Sequence, residues 1–268
     1  MPALPAQINL PLFVPADRPD RVTKAASTGA DAIIVDLEDA VAPGARAAAR
    51  AGLAEALAGI NCPIILRINA SGTQWHKSDL AAAATLPLTA VMLAKAEDGE
   101  ACAYVARAAG VPVIALVETA RGIANLNGIA TASARLAFGS IDYAADLGMG
   151  HTRASLASAR SALVLAARLA GQPAPLDGVT TTLRDAALIE DDCRHAVETG
   201  MGGKLIIHPA QMEAARRGFA PSVDELAWAA RVLEAAKGGA AVQMDGAMID
   251  APVIARAKAL IARAEPVT

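Results

Sequence analysis

The sequence has few aromatic residues, which limits how its core can be built. Only 3% of the 268 residues are Phe, Trp or Tyr, although 54% are hydrophobic. A substantial core must therefore be formed by Ala, Val, Ile and Leu, and the alanine-rich stretches suit helices that pack closely on a sheet. A chain of this length commonly folds as a single (β/α) barrel.

The sequence also has few cysteines, no large excess of charge of either sign and no long apolar run. The three cysteines, Cys62, Cys102 and Cys193, show neither zinc-ligand spacing nor a disulfide framework, which favours a reducing cytoplasm. The net charge of -3 without a basic face argues against nucleic-acid binding. No run approaches the ~20 apolar residues that a membrane span needs. The stretch MPALPAQINLPLF does not read as a signal peptide.

Short apolar runs alternate with helix-like segments along most of the chain. Eight predicted strands, from residues 8–14 to residues 204–207, alternate with helices, a pattern typical of a (β/α)₈ barrel. An open doubly wound sheet is the main alternative, but no Gly-x-Gly-x-x-Gly follows the first strand and no Walker-type lysine motif is present. We therefore predict an α/β fold, a (β/α)₈ TIM barrel, over residues 1–220.

Residues 221–268 are predicted to form a C-terminal extension. Helices are predicted over residues 221–237 and 252–264, and Asp245-Gly246 between them is a strong signal for a two-residue hairpin turn. This helix–hairpin–helix segment is not needed to complete the barrel. We predict that it acts as a lid, with Asp250 at its base.

Two acids at the ends of predicted strands are the main candidates for chemistry. Glu118 ends the run VIALVE, and Asp142 follows LAFGSI. The carboxyl ends of parallel strands meet at one edge of the sheet, so the two carboxylates are expected to converge. Carboxylates without a His or Cys partner suit Mg²⁺, with Mn²⁺ as the alternative ion. Each acid could instead cap the helix that follows it.

Further charged residues are predicted at the same edge. Asp36, Glu38 and Asp39 follow the second strand and are interpreted as groups that orient metal-bound water or a nearby arginine. Arg67 ends the third strand, and its planar guanidinium matches a substrate carboxylate; a salt bridge to Glu38 or Asp39 is the alternative. Lys95, at the end of the fourth strand, is expected to pair with the acids.

Two other polar residues are interpreted as structural. Asp146 is predicted to be helical and to point outward rather than to be a third ligand. His208 is predicted to be held by hydrogen bonds rather than to act in catalysis. Neither residue is therefore included in the predicted site.

Six segments of the chain resemble the citrate lyase beta-subunit / malyl-CoA lyase family. They are FVPADRPDRVTKAASTGADAIIVDLEDAV, LRINASGTQW, LVETARGIANL, LAFGSIDYAADLG, GMGGKLIIHPAQ and DGAMIDAPVIARA, and together they span nearly the whole chain in order. The resemblance implies a (β/α)₈ barrel that assembles as a homotrimer or hexamer. It also assigns roles by position: Glu118 and Asp142 as metal ligands, Arg67 as the group that holds a keto acid, and Asp250 as the catalytic carboxylate that the lid supplies to a neighbouring subunit.

The activity that the resemblance implies is that of a Mg²⁺-dependent carbon–carbon lyase. The enzyme would cleave or form a short 3-hydroxyacyl-CoA, such as malyl-CoA, citramalyl-CoA or citryl-CoA, from a keto acid and acetyl-CoA. One alternative is a metal-dependent pyruvate aldolase that acts on 4-hydroxy-2-keto acids without CoA. Another is a non-catalytic subunit that binds a keto acid.

Overall fold

The computed structural model describes residues 8–236, 242–244 and 247–264. The chain divides into two compact units, Met1–Ala215 and Arg216–Thr268. The predicted hairpin turn at Asp245-Gly246 lies outside the described residues. The domain boundary predicted after residue 220 stays a prediction.

The first unit contains eight parallel strands that pair in chain order. The strands are β1 (Pro11–Pro15), β2 (Ala32–Asp36), β3 (Ile64–Ile68), β4 (Ala90–Leu93), β5 (Val113–Val117), β6 (Arg135–Phe138), β7 (Leu176–Asp177) and β8 (Gly203–Lys204). Just after β8, Ile206 donates its backbone N–H to Pro11 at 3.0 Å and accepts from Phe13 at 2.8 Å. These bonds connect the last strand to the first, and the predicted TIM barrel is confirmed.

Each of these strands is followed along the chain by one or more helices. They are α1 (Pro19–Ala26), α2 (Arg46–Ala51), α3 (Leu53–Ala56), α4 (His76–Ala83), α5 (Gly99–Ala109), α6 (Ala120–Ala124), α7 (Leu126–Ala132), α8 (Ser140–Asp146), α9 (Arg153–Leu169), α10 (Ala186–Glu198) and α11 (Met212–Phe219). After β2 the chain forms a 3₁₀ turn, Pro43–Ala45, followed by α2 and α3, which are separated at Gly52. None of the described helices has the length and apolar character required to cross a lipid bilayer.

The barrel interior is filled by one apolar cluster. Its buried members are Ile8, Ala32, Ile34, Ile65, Ala90, Met92, Ile114, Leu116, Ala137, Leu176 and Leu205. Side chains alternate between the two faces of a strand, so residues two positions apart share a face. Asp36, Arg67 and Glu118 each lie two positions after a member of this cluster. They therefore lie on the inward face, at the carboxyl end of the barrel.

The second unit is built from two helices and a hairpin. They are α12 (Val223–Ala235), the antiparallel strands β9 (Val242–Met244) and β10 (Ala247–Ile249), and α13 (Ala251–Ala264). Its core contains Ala229 and Val232 of α12 together with Ala257 and Leu260 of α13. Two helices and an antiparallel pair of strands are present where the sequence predicts them, whereas the turn between the strands lies outside the described residues and the action as a lid stays a prediction.

The packing of the three free thiols predicts their reactivity. Burial raises the pKa of Cys102 and of Cys193 to about 12, while Cys62 is only partly buried. The thiolate is the reactive form. We therefore expect a chromogenic disulfide reagent, at about pH 8, to modify Cys62 in the folded protein and the other two thiols only after denaturation. Cys62→Ser should abolish the native-state reaction, and equally fast labelling of all three thiols would contradict this packing.

Candidate active site

A cavity of about 370 Å³ opens at the carboxyl end of the barrel strands. Its apolar lining includes Phe13, Leu116, Phe138, Val179, Leu205 and Ile207. Its polar lining is formed by Arg21, Asp36, Asp39, Arg67, Glu118, Ser140 and Asp142. The cavity therefore combines an apolar wall with a cluster of charged groups.

Glu118 is fixed in this cavity by its neighbours. It follows β5, is 1% exposed, and accepts a hydrogen bond at Oε1 from the backbone N–H of Lys95 at 2.8 Å. On the other side, Gly139 packs so closely that a Cβ there would overlap the Glu118 side chain. The carboxylate is thus held between the connection that follows β4 and the start of α8.

The surroundings of Glu118 disfavour its charged form. Burial raises the pKa of Glu118 to about 8, and the charges of Glu38 and Asp142 act in the same direction, while Lys95 and Arg67 oppose them. A cation placed at such a carboxylate stabilises its ionised form. The electrostatics of the cavity therefore suit a bound cation.

Asp142 lies in the first turn of α8, partly buried, and lines the same cavity as Glu118. Among the described residues, no group of three or more His, Cys, Asp or Glu side chains is arranged to hold a metal ion. Mg²⁺ in proteins is often bound by one or two carboxylates, with water and substrate oxygens in the remaining positions. The donor set fits that ion, and the assignment of both acids as ligands stays a prediction.

Arg67 is paired with acids from β2 and the loop after it. Its Nε and Nη2 donate to the two carboxylate oxygens of Asp36, both at 2.6 Å. Its Nη1 lies 3.1 Å from Oε2 of Glu38, which is buried without a hydrogen-bond partner. The salt bridge to Glu38 that was the alternative is therefore present, and Asp36 is an additional, closer partner. Nη1 retains donors for a ligand that enters the cavity.

Lys95 extends this network toward Glu118. Its Nζ lies 2.5 Å from Glu38 Oε1, 3.7 Å from Asp39 Oδ2 and 3.9 Å from Glu118 Oε1. The prediction that Lys95 pairs with the acids is confirmed. Its φ of 47° is, within the described part of the chain, the single positive value at a non-glycine residue. Such strained backbone is typical of functional sites.

The other predicted residues lie elsewhere. His208 accepts at Nδ1 from the backbone N–H of Ala210 at 3.1 Å, which confirms its structural interpretation. Asp146 ends α8 and is exposed, as predicted. Asp250 belongs to the second unit, where its exposed carboxylate accepts from the backbone N–H of Val253 at 3.2 Å and caps α13. Its catalytic role stays a prediction.

Comparison with known proteins identifies the family. Residues 9–209 match the sequence profile of the HpcH/HpaI aldolase/citrate lyase family. The chain belongs to this family. A citrate lyase subunit beta-like protein of Mycobacterium tuberculosis is 38% identical over 267 residues, with 96% of each chain covered. A (3S)-malyl-CoA thioesterase of Cereibacter sphaeroides is 34% identical over 272 residues, with 96% of this chain and 94% of the relative covered.

Solved structures of relatives share the whole fold. Protein CitE from Mycobacterium tuberculosis, in complex with magnesium, acetoacetate and coenzyme A, superimposes with a TM-score of 0.86 at 37% identity over 96% of this chain and 97% of that chain. The citrate lyase beta subunit from the same organism, with oxaloacetate and magnesium, gives a TM-score of 0.71 at 35% identity over 81% of this chain and 99% of that chain. The predicted family and lyase class are confirmed, and magnesium is the ion in both relatives.

The contact between Gly139 and Glu118 yields a direct test of the site. We expect Gly139→Ala to displace the Glu118 carboxylate, to weaken Mg²⁺ binding at least about tenfold, and to lower the free energy of unfolding by about 1–3 kcal/mol, as overpacking commonly does. Gly44→Ala is the matched control, because no atom lies within 4 Å of its added methyl group. Calorimetry and urea unfolding measure both effects. Unchanged Mg²⁺ affinity in Gly139→Ala would show that Glu118 does not bind the ion.

Proposed function

We propose that the protein is a Mg²⁺-dependent carbon–carbon lyase that cleaves or forms a short 3-hydroxyacyl-CoA, joining a keto acid and acetyl-CoA. Malyl-CoA, citramalyl-CoA and citryl-CoA are the candidate thioesters. The observation that carries the proposal is that Glu118, Asp142 and Arg67 line one cavity at the carboxyl end of the barrel. The magnesium, acetoacetate and coenzyme A bound to the CitE relative support it.

Glu118 and Asp142 would hold the ion. When bound, Mg²⁺ polarises a carbonyl oxygen as a Lewis acid and is worth several kcal/mol of charge stabilisation. The charge balance of the site supports this placement. In and beside the cavity lie five acids, Asp36, Glu38, Asp39, Glu118 and Asp142, and three cations, Arg21, Arg67 and Lys95. When all are ionised, the excess is five minus three, or two negative charges, which equals the charge of one divalent cation.

The protein's own groups would bind and orient the keto acid. Arg67 would receive the substrate carboxylate through Nη1, while Asp36 keeps the guanidinium in place. The apolar wall would keep water from the thioester and strengthen the electrostatic interactions in the cavity. In the condensation direction, Asp250 would remove a proton from the methyl group of acetyl-CoA.

The proposal extends to assembly and location. We propose a homotrimer or hexamer in which the second unit acts as a lid on a neighbouring subunit, and a location in a reducing cytoplasm. The absence of any disulfide among the three cysteines supports that location. Mn²⁺ is the alternative ion.

A product assay separates the candidate activities. Cleavage of malyl-CoA or citramalyl-CoA by a lyase yields a keto acid and acetyl-CoA without free thiol, whereas hydrolysis by a thioesterase yields free CoA thiol without a keto acid. An aldolase would instead release pyruvate from a 4-hydroxy-2-keto acid in the absence of CoA. Hydrolysis is a candidate activity because a relative bears the name (3S)-malyl-CoA thioesterase.

We expect Mg²⁺-dependent release of a keto acid from at least one thioester, abolished by a chelator. Glu118→Gln should weaken Mg²⁺ binding by at least about 100-fold, since it replaces a charged ligand with an amide, and keto-acid release should fall with it. Glu100→Gln, at an exposed position in the first turn of α5, is the control. Mg²⁺-dependent binding of a keto acid with no turnover of any thioester would favour the non-catalytic alternative.

The role of Asp250 has its own test. Asp250→Asn should leave the affinities for Mg²⁺ and keto acid unchanged and lower turnover by about 10²–10⁴-fold, the usual contribution of a general base. Steady-state kinetics and calorimetry on the same preparation measure both quantities. Asp224→Asn, an exposed acid in α12, serves as the control. Near wild-type turnover in Asp250→Asn would remove this residue from the mechanism.

A further inference from the structure

One side chain links the segment that bears Glu118 to the helix that bears Asp142. Asp146, the last residue of α8, accepts at Oδ2 a hydrogen bond from the backbone N–H of Ala120 at 2.7 Å. Ala120 is the first residue of α6 and lies two positions after Glu118. Asp146 lies four positions, about one helical turn, after Asp142.

The opposite end of α8 is already fixed by other contacts. Gly139 donates its backbone N–H to Val117 of β5 at 2.9 Å. Ser140, the first residue of α8, has its Oγ 2.9 Å from Nε2 of His151 and packs against Gly178. A helix this short has little stability of its own, so its position depends on such contacts. Asp142 lies between the contacts at the start of α8 and the Asp146 bond at its end.

The start of α6 is held from a second direction as well. The hydroxyl of Thr119 donates to Glu97 Oε1 at 3.0 Å, and Arg121 lies 3.5 Å from Glu97 Oε2. These contacts connect the Glu118 segment to the loop after β4. The bond from Ala120 to Asp146 connects it to α8, and so ties the two predicted ligands to each other.

We propose that Asp146 is a positioning residue whose hydrogen bond to Ala120 fixes the spacing between the Glu118 and Asp142 carboxylates, and thereby sets the affinity of the site for a divalent cation. The inference rests on the proposed function, because it takes these two acids as the ligands. Asp146 is exposed and is not among the residues that line the cavity, so it acts through the backbone and not as a ligand.

Three single variants separate the hydrogen bond from the charge. Asp146→Ala removes the acceptor, and we expect Mg²⁺ affinity to fall about fivefold, equivalent to ~1 kcal/mol. Asp146→Asn removes the charge but keeps a carbonyl oxygen that can accept the bond, so its affinity should stay within about twofold of wild type. Ala120→Pro removes the donor and keeps the Asp146 charge. Proline is well tolerated at the first position of a helix, and the extended φ and ψ of Thr119, -136° and 158°, suit a following proline.

Ala120→Pro should lower Mg²⁺ affinity as much as Asp146→Ala, and the double variant should lower it no further, because both changes remove the same bond. Glu100→Ala, which removes a different exposed acid, should have no effect. Hydrogen exchange provides a readout without metal: the amide of Ala120 should exchange faster in Asp146→Ala than in wild type or Asp146→Asn.

The outcomes distinguish this inference from the proposed function. If the wild-type protein does not bind Mg²⁺, the proposed function fails, and the hydrogen-exchange rate of the Ala120 amide does not change that conclusion. If wild type binds Mg²⁺ and both Asp146→Ala and Ala120→Pro bind it equally well, the positioning role is overturned. It is also overturned if Asp146→Asn loses as much affinity as Asp146→Ala, because charge would then explain the effect. Should Asp146→Ala not fold, Ala120→Pro and Asp146→Asn still decide the question.

Discussion

The organisation of the barrel mouth depends on Glu118, whose carboxylate is almost fully removed from water. Burial disfavours the charged form of Glu118 and raises its pKa to about 8, and the neighbouring cations and hydrogen bonds offset only part of that cost. Here, Lys95 donates its backbone N–H to Glu118, Glu38 pairs with the Lys95 ammonium group, and Arg67 lies between Glu38 and Asp36. Loss of any member would leave a neighbouring charge uncompensated, so these residues act as one unit.

A second buried charge cluster in the same barrel offers a comparison. Asp177 of β7 accepts from Arg160 of α9 at 2.8 Å and pairs with Lys204 of β8 at 3.2 Å, while Lys204 also lies 2.9 Å from Asp192 of α10. Two acids and two cations balance there, and the cluster joins the sheet to its helices. The cluster at the barrel mouth differs because its acids outnumber its cations and it faces a cavity, which supports a role in binding.

The sequence predicts the barrel and the location of the site better than it predicts the partners within the site. Glu118 directly follows one apolar run and Asp142 comes shortly after another, and the parallel-sheet rule then brings both acids to one edge. The pairing of Arg67 with Asp36 depends on strand register: the two residues are direct neighbours across β2 and β3, although 31 positions separate them in the chain. The alternation of side chains along each strand is enough to predict that Asp36 and Arg67 face inward. The register between β2 and β3, which makes them neighbours, is fixed only in the closed barrel.

The apolar part of the cavity bears on which reaction the charged part supports. A thioesterase must admit a water molecule to the thioester carbonyl, whereas a lyase must exclude that water and needs only a proton acceptor for the hydroxyl group of its substrate. The wall formed by Phe13, Leu116, Val179, Leu205 and Ile207 offers no side-chain hydrogen bond to a water molecule. The charged residues that line the same cavity can still orient a carboxylate and a carbonyl. The apolar share of the lining favours carbon–carbon cleavage over hydrolysis, even though relatives with both kinds of name share the fold.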